Sequence, residues 1–244
     1  MCEDTRSTAK LLRHYGMDAA LARYDDHASE SHRQSILERL GSEAIGLVSD
    51  AGTPLINDPG FKLARDAAAA GHAVHALPGP CAPILALTLS GLPTDTFTFA
   101  GYLPNKAAAR AKACATLAKI PHTLVVFESV HRIAASLTDL ASAMGDRDAA
   151  LCREMTKLYE EVDRAPLPEL AARWADKSAK GEFVIVIGPG EAPQQSDEGN
   201  MDDKLRSAMA AGLSMKDAVS TVAEQTGTPR KQVYQRALAL RDGG

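Results

Sequence analysis

A short apolar run, Ala44–Val48, stops abruptly in Ser49-Asp-Ala-Gly-Thr-Pro-Leu-Ile-Asn-Asp-Pro-Gly60, and this junction narrows the folds open to the chain. An apolar run of that length bounded by Asp, Gly and Pro predicts a buried strand ending in a loop, with a helix starting near Pro59. At the carboxyl end of a parallel strand, Gly52 lets the backbone approach a ligand closely, and Asp50 and Thr53 supply polar contacts. A tight turn in which Asn57 and Asp58 cap the following helix explains the same residues without a ligand. Spacing alone does not separate the two readings.

The unit then recurs. Phe61 to Ala70 reads as a helix ended by Gly71, Ala73 to Leu77 as a strand, Pro78-Gly-Pro-Cys-Ala82 as a loop, and Ile84 to Leu89 as an apolar helix. Two Gly-Pro loops ending neighbouring parallel strands lie at one edge of a sheet and form one crevice. Ser90-Gly-Leu-Pro93 then punctuates the chain, and a domain boundary is expected at 96/97. Beyond it, Asn105 to Lys119 reads as a helix whose basic stripe of Lys106, Arg110 and Lys112 is a solvated face. Strands are expected at Thr123–Phe127, Ala149–Cys152 and Glu182–Ile187, with helices to about Met144 and over Leu167 to Lys177. The first two of these strands stop in polar clusters, Glu128-Ser-Val-His-Arg132 and Arg153-Glu-Met-Thr-Lys157.

The expected organisation is a first α/β domain over 1–96, a second over 97–190, a Pro-, Gly- and Gln-rich linker over 191–200, and a helical domain over 201–244. In the last, helices are expected at Asp202–Ala211, Met215–Gln225 and Arg230–Arg241, the final pair joined by Thr226-Gly-Thr-Pro229 in the manner of a helix-turn-helix. At the other end, Thr5 to Tyr15 reads as a helix closed by Gly16, with no strand before it. An α/β domain normally opens with a strand, so a missing opening element is the expectation.

Composition removes several classes. With 244 residues, 45% of them hydrophobic, the chain can bury a sizeable core. No apolar run approaches the roughly 20 residues of a membrane helix, and Met1-Cys-Glu-Asp-Thr-Arg6 is not a signal peptide; a cytoplasmic protein with no membrane partner is expected. Cys2, Cys81, Cys114 and Cys152 are scattered, which suggests neither a zinc site nor a disulfide framework, and His27 and His32 lie in a polar stretch without a second ligand at usable spacing. A formal charge of −4 argues against a general nucleic-acid binder and against DNA, while leaving room for a local face that holds structured RNA.

Taken together, Ser49–Gly60, Leu77-Pro-Gly-Pro-Cys-Ala82, Ser90-Gly-Leu-Pro93, Phe127-Glu-Ser-Val-His-Arg132, Arg153-Glu-Met-Thr-Lys157 and Gly181-Glu182 resemble, in order and spacing, the tetrapyrrole-methylase superfamily of class III methyltransferases. Within it they are similar to the branch that methylates the cytidine ribose 2′-hydroxyl in 16S ribosomal RNA. The resemblance covers nearly the whole chain, including Glu3-Asp-Thr-Arg6 and the C-terminal helices. It implies two α/β domains with S-adenosylmethionine bound in the cleft between them, plus a small helical domain, and it implies a homodimer acting on the small ribosomal subunit. The superfamily's Gly-Asp-Pro is replaced here by Gly52-Thr53-Pro54, as in the ribosomal branch, which shifts weight away from tetrapyrrole substrates. The usual opening strand and Pro-Ile-Gly-Asn loop have no counterpart, and Ala28 and Ser29 stand where the family often shows Asn-Glu.

The resemblance also implies site roles. Asp50, Ala51, Gly52, Thr53, Pro54 and Ile56, with Pro78, Gly79, Cys81, Ala82 and Ser129, would line the cofactor site. Methyl transfer to a ribose hydroxyl is an in-line displacement aided by a base and by a cation near the forming alkoxide. Glu128, Arg153 and Lys157 are the catalytic candidates, with Glu128 as base; His131, Arg132 and Glu154 are the substrate-binding ones. Structural ion pairs of Glu128 with Arg132, or of Glu154 with Lys157, explain the same residues without chemistry. No metal is required. Two other functions stay open: a non-catalytic remnant that binds RNA or a partner, and a tetrapyrrole methyltransferase.

Overall fold

The computed structural model of the chain describes residues 1–177, 180–190, 197–226 and 228–242. They form two compact units, Met1–Gly190 and Glu191–Gly244. Most of the expected linker, 191–196, lies outside the described residues.

The first unit is built on a mixed five-stranded sheet. Its strands are β1 (Phe97–Tyr102), β2 (Thr123–Ser129), β3 (Asp148–Arg153), β4 (Glu161–Pro166) and β5 (Glu182–Ile187), in spatial order β1-β2-β5-β3-β4. Only the β1/β2 pair is parallel; the other three ladders are antiparallel. Strand alternation sends Leu124, Val126, Ala149, Leu151, Ile185 and Ile187 to one face, where Cys114, Leu137, Leu140, Leu170 and Trp174 from the helices α5 (Ala107–Leu117), α6 (Ile133–Met144) and α7 (Leu167–Trp174) bury them. Val125, Ala150, Cys152, Val184 and Val186 point the other way, onto Ala86 and Leu87 of α4 (Ala82–Ser90). Three of these strands match the expected ones. Strand β1 opens the expected second domain, and β4, with the sequence Glu-Val-Asp-Arg-Ala-Pro, has no counterpart among the expected strands. It is an edge strand, so half-exposed polar positions replace the apolar run that marks a central strand.

The expected basic stripe on α5 also needs correcting, because Arg110 is buried. Its guanidinium donates to Asp139 Oδ2 at 2.6 Å, across to α6.

The chain before the sheet carries α1 (Thr5–His14), α2 (Glu30–Arg39) and α3 (Phe61–Ala69). Asp4 caps α1 by accepting from the Arg6 amide at 2.8 Å, and Ser29 caps α2 by accepting from the His32 amide at 3.2 Å. Tyr24, Ile36 and Leu63 form a small core. The two strands expected here are not formed. Residues 44–48 make one isolated bridge, Cys2 to Val48, and residues 73–77 join no ladder, leaving Val74 and Leu77 exposed, Leu77 by 87%. A strand is a pairing, and an apolar run acquires one only where a neighbour presents free amides and carbonyls.

In the second unit, α8 (Asp197–Ala210), α9 (Met215–Thr226) and α10 (Arg230–Asp242) close around Leu205, Val222, Val233 and Ala237. Arg236 grips Asp202 with two hydrogen bonds of 2.8 and 2.9 Å, tying α10 to α8. Helix α8 begins five residues before the expected Asp202.

Candidate functional site

The two Gly-Pro loops meet even though the strands expected to carry them do not form. The Thr53 hydroxyl donates to the Pro80 carbonyl at 2.7 Å, and Gly52, at φ +83°, leaves its missing Cβ 3.9 Å from the same oxygen. Together the loops wall one side of a cavity of about 750 Å³, lined by Ala51, Gly52, Thr53 and Ile56–Asp58 and by Gly79–Leu85. The opposite wall comes from the sheet: Tyr102 of β1, Phe127 of β2, the turn Glu154–Lys157 after β3, and Glu182–Val184 of β5. That volume lies within the 300–1,000 Å³ typical of small-molecule sites.

Backbone strain is concentrated in this wall. Among the described residues, the four non-glycine positions with positive φ are Leu55, Asn57, Glu154 and Thr156, and all belong to the two segments that face each other here. Two glycines make room for them. A Cβ on Gly101 would stand 2.9 Å from the amide atoms of Asn57, and one on Gly181 would stand 2.5 Å from Glu154 Cγ and Oε1. The loop after residue 53 therefore rests on β1, and the turn after β3 folds back over the start of β5.

Three carboxylates and one ammonium line the cavity. Lys157 Nζ donates to Glu154 Oε1 at 2.9 Å and to Glu182 Oε2 at 3.0 Å. The Lys157 contact, reinforced by the backbone amide of Glu182, holds the Glu154 carboxyl below its usual range; Glu154 and then Glu182 raise Lys157 in turn. Among the described residues Asp58 has no ion-pair partner, and burial pushes its carboxyl up, as does nearby Asp50, against the Ser49 hydroxyl. Tyr102 is raised by burial, then by the negative fields of Glu182, Glu128 and Asp58.

The expected site residues divide. Ala51, Gly52, Thr53, Ile56, Gly79, Cys81, Ala82, Glu154 and Lys157 line the cavity; Asp50, Pro54, Pro78, Ser129, His131, Arg132, Arg153 and Glu128 do not. Glu128 is the main correction. On β2, Phe127 faces the cavity, so its neighbour Glu128 faces α6 instead, where its carboxylate is buried and satisfied. It accepts from the Ser129 amide at 2.7 Å and the Ser136 hydroxyl, and pairs with Arg132 at 2.6 Å. Arg132 also donates to the Leu103 carbonyl at 2.9 Å and to Asn105, pinning the β1–α5 connection rather than reaching toward a phosphate. Arg153 is committed to the Lys180 carbonyl at 2.8 Å and to Glu161 at 3.0 Å. His131 is exposed on the turn before α6.

The reading of this loop as a plain turn makes Asn57 and Asp58 helix caps. The N-cap of α3 is Gly60, without a side-chain cap bond, and both residues turn to the cavity instead. Their position two and three residues before that glycine was the available signal. Tyr102, Phe127 and Glu182 were also missed as lining residues.

The lining suits the cofactor implied by the resemblance. Ile56, Leu85, Phe127 and Val184 offer apolar walls to a nucleoside, and the excess of carboxylates favours a cationic sulfonium. Helix α4 starts at Ala82, inside the cavity wall, with no side chain capping its free amides.

Comparison with known proteins agrees. The model of the tetrapyrrole (corrin/porphyrin) methylases matches residues 1–171, and that of the RsmI C-terminal HTH domain matches 195–241. A ribosomal RNA small subunit methyltransferase I from Mesorhizobium japonicum is 41% identical, with the match covering 99% of this chain and 82% of that protein. Proteins of the same name from Xylella fastidiosa and Escherichia coli O157:H7 are 44% and 40% identical, over 95% and 97% of this chain and 86% and 84% of their own. These matches run over nearly all of this chain. Among solved structures, diphthine synthase aligns at a TM-score of 0.54 and 16% identity, covering 74% of this chain and 73% of its own. A cobalt precorrin-4 methyltransferase aligns at 0.52 and 14%, covering 77% and 82%. Both likenesses concern the fold alone. With the family match spanning most of the first unit and relatives at 40–44% identity matched over 82–86% of their length, the chain belongs to the tetrapyrrole methylase family and carries an RsmI-type C-terminal helical domain.

Proposed function

We propose that this chain is an S-adenosylmethionine-dependent methyltransferase of ribosomal RNA, and that its target is the ribose 2′-hydroxyl of a cytidine in the 16S RNA of the small subunit. The names of its relatives and its family membership support the methyl donor and the RNA. The observation that carries the reading is the convergence of the Thr53 and Pro80 loops with the Glu154–Lys157 turn on one cavity.

S-adenosylmethionine, when bound, supplies an electrophilic methyl group. The protein's share is placement. In this reading Ala51, Gly52, Thr53, Ile56, Gly79, Cys81 and Ala82 hold the donor, while Phe127 and Val184 exclude water from behind it. Lys157, held between Glu154 and Glu182, presents a fixed positive charge where the attacking oxygen becomes negative. Arg153, His131 and Arg132 take supporting places outside the cavity. The same reading divides the larger unit near residue 96 into a part that carries the donor loops and a part that carries the strand tips. It assigns a homodimer acting in the cytoplasm.

Transfer of a labelled methyl group to small subunits from cells lacking this modification tests the proposal. Incorporation at a cytidine 2′-oxygen is the expected result. Incorporation only into a porphyrinogen, or binding of the donor without transfer to either substrate, would overturn it.

A further inference from the structure

Of the three carboxylates in the cavity, two are already ion-paired. Glu154 and Glu182 share the Lys157 ammonium at 2.9 and 3.0 Å, and that contact holds the Glu154 carboxyl below its usual range. Glu128, the acid expected from sequence, lies on the opposite face of the sheet, closed by Arg132, Ser129 and Ser136. Asp58 remains. Among the described residues it has no ion-pair partner, and it does not cap α3, whose N-cap is Gly60. The backbone is strained to bring it there, with Leu55 and Asn57 at φ +73° and +62°, and Asn57 seated against the bare Gly101.

We propose that Asp58 is the proton acceptor for the attacking hydroxyl. The inference rests on the reading above and names the base within it. The hydroxyl oxygen forms its bond to the methyl carbon as the carbon–sulfur bond breaks, and that bond's electron pair stays on sulfur. The hydroxyl proton passes to the Asp58 carboxylate and from there to water, so charge and atoms balance.

The groups that face Asp58 suit the role. Ser49 and Asp50 lie in its own loop and Tyr102 comes from β1; across the cavity stand Glu154, Lys157 and Glu182. Burial, and after it the negative field of Asp50, keep the carboxylate more basic than an exposed aspartate, against the Ser49 hydroxyl.

The test is Asp58→Asn in the full chain, assayed for methyl transfer to unmodified small subunits across pH, with S-adenosylhomocysteine binding measured by calorimetry. The expected result is a fall in turnover of about a hundredfold or more, loss of the acidic limb of the pH profile, and affinity within about threefold of the original. A second variant, Asp58→Gly, should regain activity with added formate, which a structural role would not produce. Turnover within about threefold with the acidic limb intact, or a loss in both variants that formate leaves untouched, would overturn the assignment. Wild-type protein that transfers no methyl group to the subunits would instead refute the function on which it rests.

Discussion

Thr53 and Pro80, 27 residues apart, are joined by a hydrogen bond of 2.7 Å from hydroxyl to carbonyl. This contact places the two Gly-Pro loops on one wall of the cavity, in a part of the chain where no sheet ladder does so. Thr53→Val keeps the shape and removes the donor. A single hydrogen bond contributes about 1 kcal/mol, so S-adenosylhomocysteine affinity should fall roughly fivefold with little change in thermal stability, read by calorimetry alongside a melting curve. Unchanged affinity would mean that the loops hold their places without this bond.

Gly181 sits at φ +107°, and a Cβ there would meet Glu154 atoms at 2.5 Å. Gly181→Ala should destabilise the first unit by about 1–3 kcal/mol through backbone strain, and should also displace Glu154 from Lys157. Urea unfolding followed by the fluorescence of Trp174, the one tryptophan in the chain, reads the first effect. Weakened methyl transfer in the folded fraction reads the second.

Glu128 is a structural acid on this geometry. Glu128→Gln keeps the size but leaves Arg132 without its buried counter-charge, and stability should drop by about 2 kcal/mol or more in the same urea measurement. Methyl transfer per folded molecule should stay within about threefold. A hundredfold loss in well-folded protein would return Glu128 to the mechanism.

Asp58 makes an opposite prediction for stability. Its folded-state pKa is raised, chiefly by burial, so its favourable contribution is complete below the unfolded value and disappears as pH rises through the folded one. As pH rises through that folded value, the wild-type fold comes to carry an ionised carboxylate that it disfavours. Asp58→Asn should melt higher than wild type at pH 7, and the difference should shrink as the pH is lowered to about 4. A lower melting temperature at pH 7 would show that the carboxylate is stabilising as it stands.

The helical unit depends on Asp202, whose carboxyl is held below its usual range by the hydrogen bonds from Arg236. A depressed carboxyl gives its stability above the unfolded pKa and loses it as pH falls through the folded one. Asp202→Asn should thus lower the melting temperature of the full chain's helical unit at neutral pH. The effect should fade in strong acid, as monitored by circular dichroism.

Periodicity and punctuation in the sequence located nearly every helix, because breakers such as Gly16, Gly71 and Gly91 act on the few residues around them. They located β2, β3 and β5 for a related reason. These central strands are buried on both faces and read as unbroken apolar runs. Strand β4 escaped because an edge strand has no such signature, and residues 73–77 misled because an apolar run carries the potential to pair but not the partner.

The ordered motifs by themselves carried a resemblance to the family, which implied the donor and pointed to the two Gly-Pro loops. Which acid faces that cavity was decided only by the fold. One step of strand alternation turns Phe127 in and Glu128 away, and a left-handed turn at Asn57 swings Asp58 from the start of a helix to the wall of the site. Neither sense of direction is written in local sequence: the first follows from which face of the sheet the distant α4 and α6 cover, the second from Asn57 seating against Gly101 of β1.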